Sequence, residues 1–288
     1  MIAGIRSGAV VGIEGYAVRV EVDLARGLPA FTIVGLPNAA VRESRERVTA
    51  AIRNSGYEFP LRKITVNLAP ADVRKEGAAF DLPIALGILS ASGQVARPVS
   101  RGTIVLGELA LDGTLAPVRG ALPVACFARD DGCGRLLLPA GNGPEAAAVG
   151  GIEIAPCDDL REAVGVIEGR AAIRPVRPAP AAEERDDGLD FSQVRGQETA
   201  RRAVLVAAAG GHHLLMVGSP GAGKTMLARR IPSILTPLDP DEALENAKIE
   251  SVTAGGRLRG LPRRRPFRAP HHSASDAGLV GGGNRASP

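Results

Sequence analysis

The sequence predicts an α/β chain in two parts: an α+β domain over residues 1–170 and a P-loop α/β domain over residues 190–288, joined by a linker over residues 171–189. Three observations predict it. Strand-like alternation and helix-like periodicity succeed one another along the first part. The stretch RPVRPAPAAEERDDG, from Arg174 to Gly188, then breaks both patterns with proline and charge. In the second part, a glycine-rich run ending in Gly223-Lys224-Thr225 lies between a short apolar run and a helical pattern. Charge divides the chain at the same place. Residues 1–175 carry 19 basic and 19 acidic side chains and residues 176–288 carry 16 and 12, so the whole net charge of +4 lies in the second part.

The elements follow in order. Tyr16, Val18, Val20, Val22 and Leu24 alternate as in a half-buried strand, and residues 31–35 form a short apolar strand. Asn38 caps a helix running to about Ser55, with Val41, Val48 and Ile52 on one face and Arg42, Arg45 and Glu46 on the other. Gly56 ends it. A strand at 64–68 and an apolar helix at 82–92 come next. They precede a strand at 103–106, a hairpin turn at Asp112-Gly113 and a helix at 120–129. Strands at 135–138 and 152–154 and a helix at 158–168 complete the first part. In the second, a helix is expected over 197–209, a compact apolar strand over 213–217, and a helix from Lys224. Residues 241–248 read as an exposed amphipathic helix.

Composition bounds the function. With 45% apolar residues the chain is no disordered segment. No apolar run reaches the ~18 residues of a membrane span, and the N-terminus has no signal-peptide core. Cys126, Cys133 and Cys157 form no C-x-x-C pair, which points to reduced, structural thiols and a cytoplasmic location. Aromatic residues are only 3%, with no Trp, which argues against an aromatic platform for bases. Arg outnumbers Lys 31 to 4, a bias that discounts generic arginine counts.

Chemistry concentrates in Gly218-Ser219-Pro220-Gly221-Ala222-Gly223-Lys224-Thr225, followed by Met226, which fits G-x-x-x-x-G-K-[ST]. Glycines let the backbone curl so that successive N–H groups face phosphate oxygens. Lys224 would reach the β- and γ-phosphates and the Thr225 hydroxyl would ligate Mg2+, so ATP and Mg2+ are the expected cofactors.

Residues 191–198 (FSQVRGQE), the block GGHHLLMVGSPGAGKTMLARR and the block RRPFRAPHHSASDAGLVGGG closely resemble magnesium-chelatase-like AAA+ ATPases of the ComM (YifB) type. The segment AFTIVGLPNAAVRESRERVTAAIRNSGYEFPLRKITVNLAPADVRKEGAAFDLPIALGILSASG resembles the N-terminal domain of that family. The resemblance implies an ATP-driven homo-oligomer, a hexameric ring, and in transformation-linked members a branch-migration helicase acting on DNA in recombination. The alternative is a metal-insertion ATPase subunit of the magnesium chelatase type. It also implies that Val194, Gly196 and Gln197 lie against the adenine. The first part resembles the Lon-protease and ribosomal protein S5 domain 2 fold. A Lon-type dyad needs a Ser and a Lys, whereas this chain has Ala79 and Leu122 at those positions, so peptide hydrolysis is not expected.

No acidic residue after Thr225 ends an apolar strand as a Walker B motif requires. The chain stops at 281–288, inside what the family continues into Walker B, sensors and arginine finger. It therefore reads as a fragment truncated before Walker B, without a catalytic residue of its own, that binds nucleotide but does not turn it over. DNA contacts are expected from Arg257 to Arg268, which holds six Arg and no acid, and from Ser273 to Gly283, within a mobile glycine-rich loop. Adjacent His271 and His272 cannot close a tetrahedral metal site alone. His213 reads as packed structure, the cysteines as buried apolar groups, and Asp72 and Asp81 as hydrogen-bonded structural carboxylates.

Overall fold

The computed structural model describes residues 1–73, 75, 77–180, 188–253, 260–271 and 273–275. Strands β1 (Ile2–Val11) and β2 (Glu14–Ala25) form a long hairpin, in register from Ile2 opposite Asp23 to Val11 opposite Glu14. They are followed by β3 (Ala30–Val34), helix α1 (Ala39–Asn54), β4 (Lys63–Ala69) and α2 (Asp81–Ala91). Next come β5 (Thr103–Val105), the short hairpin of β6 (Glu108–Leu109) and β7 (Leu115–Ala116), α3 (Ala121–Asp130), β8 (Arg135–Pro139), α4 (Gly143–Ala146), β9 (Glu153–Cys157) and α5 (Leu160–Glu168). The main sheet has seven strands in the order β3-β4-β2-β1-β5-β8-β9. It is mixed: the β1–β2 and β2–β4 pairs are antiparallel and the other four are parallel.

The local reasons are those of the sequence. The Asn38 side chain accepts from the Val41 amide at 3.0 Å and starts α1, which buries Val41, Val48 and Ile52. Helix α2 is apolar all round and is buried all round. Asp81 at its start is fully buried and accepts from Ser44, from Arg47 and from the Leu109 amide, which ties α1, α2 and β6 together. Alternate residues of the sheet face two cores. Val105 and Leu137 join α1, α2 and α5, whereas Ile104, Leu136 and Leu138 join α3.

Strand β1 has no counterpart among the predicted elements, because glycines dilute its pattern. Packing explains two of the glycines in the hairpin. A Cβ on Gly8 would sit 2.4 Å from Val124, and one on Gly15 would sit 2.5 Å from the Pro123 carbonyl, so α3 crosses the sheet where side chains are missing.

The second part holds α6 (Glu198–Gly210) and α7 (Lys224–Arg230) around a small core of Phe191, Val194, Val204 and Leu227, and then α8 (Pro240–Val252). Two expectations are corrected. Residues 213–217 form no strand: Leu215 and Val217 are each 86% exposed. A strand exists only through neighbours that bond its backbone, and no strand lies among the described residues of the second part. Helix α8 is not an exposed helix. It buries Ala243, Ala247 and Ser251, and Ala247 joins the core beneath α3 in the first part. The first residues of the linker pack back too: the Ala179 amide donates to the Pro144 carbonyl at 3.1 Å and Val176 lies against the α3 core. No described helix is long and apolar enough to cross a membrane.

Candidate functional site

The glycine-rich loop before α7 is shaped by two left-handed residues, Gly221 and Gly223, both at φ +80°. Only glycine adopts this conformation without strain. The second is also crowded: a Cβ on Gly223 would lie 2.8 Å from Gln197 Nε2. Lys224 opens α7, and its Nζ donates to the Gly218 and Ser219 carbonyls at 2.8 Å each, which holds the ammonium over the loop. Thr225 follows, exposed, and Met226 is half-buried.

Gln197 lies beside this loop. It takes a positive φ of 53° ahead of α6, and its Nε2 donates to the Ala222 carbonyl at 3.1 Å. Gly196 is likewise left-handed, while Val194 is buried in the small core with Leu227 of α7. The block at 194–197 and the loop at 218–225 are therefore brought together. Gln193 adds an anchor the sequence did not reveal: its Oε1 accepts from Arg230 Nε at 3.2 Å and Nη2 at 2.9 Å, at the far end of α7.

The donor set fits a magnesium polyphosphate. It comprises a curled main chain, one ammonium and the exposed hydroxyls of Ser219 and Thr225, with no carboxylate among residues 218–226. Lys224 would supply positive charge to such a group and Thr225 an oxygen ligand to its magnesium. Among the described residues no cluster of His, Cys, Asp and Glu could hold a metal by itself.

The arginine-rich stretch divides. Residues 257–259 lie outside the described residues, as do His272 and the loop from 276 on. Arg263 and Arg264 are exposed. Arg265 is committed inward, bonding both Glu242 carboxylate oxygens at 2.8 and 2.7 Å and the Thr236 carbonyl at 3.2 Å. Hydrogen bonding to Arg265 holds the Glu242 carboxyl below its ordinary range. Ser273 Oγ lies 2.7 Å from His271 Nδ1.

Two buried charged groups escaped sequence reading. Lys75 is fully buried, with Nζ donating to the Val73 carbonyl at 2.7 Å, and burial lowers its pKa. Glu145 accepts from Leu122 N–H, Asn142 Nδ2 and the Ser251 hydroxyl of α8, and burial raises its pKa. Local sequence does not mark Glu145, because its partners Leu122 and Ser251 lie 23 and 106 residues away.

Two family models match the chain. The one described as "Subunit ChlI of Mg-chelatase" covers residues 20–142, and the one described as "Magnesium chelatase, subunit ChlI" covers residues 190–288. The chain is 43% identical over 284 residues to YifB of Escherichia coli K12, covering 99% of this chain and 56% of that protein. It is 40% identical over 291 residues to the competence protein ComM of Haemophilus influenzae, covering 100% of this chain and 57% of that protein. Lon protease 2 of Desulfotalea psychrophila is 26% identical over 138 residues, 46% of this chain and 18% of that protein. The chain thus spans just over half the length of YifB and ComM.

Proposed function

The chain belongs to the ComM/YifB family of magnesium-chelatase-like AAA+ proteins, and on that premise we propose that residues 190–288 bind ATP with Mg2+ at the 218–225 loop. We propose further that the whole protein is a ring-forming ATPase that moves DNA strands during recombination. One observation carries the nucleotide reading: two left-handed glycines curl a loop whose only charged side chain, Lys224, is held over it by Gly218 and Ser219. Gln197 braces the same loop, so a change there reaches α6 and, through Arg230 and Gln193, the start of the second part.

The DNA reading rests on the name of the competence protein ComM and on the exposed Arg263 and Arg264. A metal-insertion motor is the second reading, favoured by the descriptions of both family models. DNA-stimulated ATP hydrolysis by the whole protein separates the two.

The direct test is nucleotide uptake. Lys224→Ala in this chain removes one charge-assisted contact, about 1.5–3 kcal/mol, so labelled Mg-ATP should bind about 10- to 100-fold more weakly at an unchanged melting temperature. Equal uptake by the variant would defeat the proposal.

A further inference from the structure

The chain has six Phe, two Tyr and no Trp, and every one of those rings except Phe267 is buried or half-buried. Phe267 is 48% exposed. It joins none of the three apolar cores and makes no ring contact with a described aromatic or cationic side chain. A ring left in water forgoes the stabilisation that burial gives the other seven.

The backbone that carries this ring is rooted on one side. The Leu238 amide donates to the Arg263 carbonyl at 2.8 Å, and the Arg265 guanidinium bonds the Thr236 carbonyl and both oxygens of Glu242. Phe267 follows two residues later, between Pro266 and Pro270, whose rings fix φ and remove two backbone donors. The ring therefore stands on a restrained stem, which lowers the entropy lost when it binds. Arg263 and Arg268 on either side of it in the chain are exposed and pair with no described carboxylate. Residues 260–271 contain no Asp or Glu.

One exposed π face between two free guanidinium groups matches a polymer that alternates flat bases with phosphates. An apolar protein groove would cover the ring but would have to strip water from both cations without pairing them. We propose that Phe267 is a stacking platform for one base of a single DNA strand, with Arg263 and Arg268 on phosphates of the same strand. The composition argues against a platform of several rings, but one ring suffices for one base. A duplex is excluded from this contact because its internal bases already stack on both faces, and unstacking one costs free energy. The proposal rests on the DNA reading of the family and narrows it to unpaired strands at this segment.

Phe267→Trp gives the chain its sole tryptophan and so reports on the contact directly. Its emission should be quenched by an unlabelled strand of about 16 thymidines and not by the same strand annealed to its complement. Fluorescence polarisation with the fluorescein-labelled strand gives the affinities. Phe267→Ala should bind the single strand at least about 5-fold more weakly, the loss of one base–aromatic stack. Phe267→Leu should be as weak, because it keeps the apolar bulk and loses the π face, and Phe267→Tyr should bind as the parent does. Phe267 lies outside the cores, so these variants leave the fold intact. The salt slope should be unchanged in Phe267→Ala and reduced by about 1.4 in the Arg263→Ala, Arg268→Ala double variant, at ~0.7 per phosphate of a single strand. An unquenched tryptophan, or Phe267→Leu binding as tightly as the parent, would overturn the proposal. Equal binding of duplex and single strand with Phe267→Ala unaffected would overturn it and leave the DNA reading standing. No binding of either form at low salt up to about 100 μM would overturn both.

Discussion

Glu145 shows how a single buried carboxyl makes stability depend on pH. Burial dominates its environment and raises its pKa above the ordinary 4.5, against the lowering effect of Ser251, Asn142 and the Leu122 amide. The folded state therefore holds its proton more tightly than the unfolded chain does. The stability this contributes is complete below about pH 4.5 and is withdrawn as pH climbs through the raised folded value. Glu145→Gln removes the titration, so urea melts across pH 4.5–8 should show a smaller loss of stability on the alkaline side than the parent. Parallel pH profiles for the two proteins would disprove this. Cys157 gives a second test at the same scale. Burial pushes its thiol up to about 12, and the thiolate is the reactive form. Iodoacetamide at pH 8 should leave Cys157 unlabelled in the native chain and label it after denaturation, as read by mass spectrometry.

Helix α8 begins with a reciprocal capping box, Asp239 with Glu242, and carries small residues Ala243, Ala247 and Ser251 four apart on one face. That spacing lines a single helical stripe and lets α8 approach α3 closely. Its C-terminal end is bound twice: the Gly120 amide donates to the Ser251 carbonyl at 3.2 Å, and the Ser251 hydroxyl donates to Glu145. Midway along, Lys248 pairs with Glu14 at 3.3 Å. Ala247→Leu adds volume where none is free, and overpacking of this kind costs about 1–3 kcal/mol. The variant should melt earlier and lose amide-exchange protection in both α8 and α3. Loss confined to α8 would mean that the two helices do not act together.

At the scale of the molecule, Arg47–Asp81 and the paired glycine approaches hold the first part around its sheet, while α8 carries the second part onto it. Arg265 is spent within the second part on Glu242, whereas Arg263 and Arg268 of the same cluster are exposed. In the whole protein, the Arg263→Ala, Arg268→Ala double variant should lower the salt slope of DNA binding by about 2, since each neutralised phosphate contributes ~0.9. Arg265→Ala should instead lower thermal stability. A salt slope unchanged by the double variant would remove these residues from the interface.

The order of most elements in the first part, the cap at Asn38, the all-buried α2 and the 218–225 loop were legible in the chain itself. Each depends on residues within one or two turns of one another, so local spacing is enough to encode it. The glycine-bearing β1, the Glu145–Ser251 bond, the inward turn of Arg265 and the docking of α8 were decided only by tertiary structure. Gly8 is readable as a strand residue only once Val124 occupies the space its side chain would fill. Residues 213–217 show the converse: an apolar run is a strand only when neighbouring backbone bonds it, and no spacing within the run supplies that neighbour.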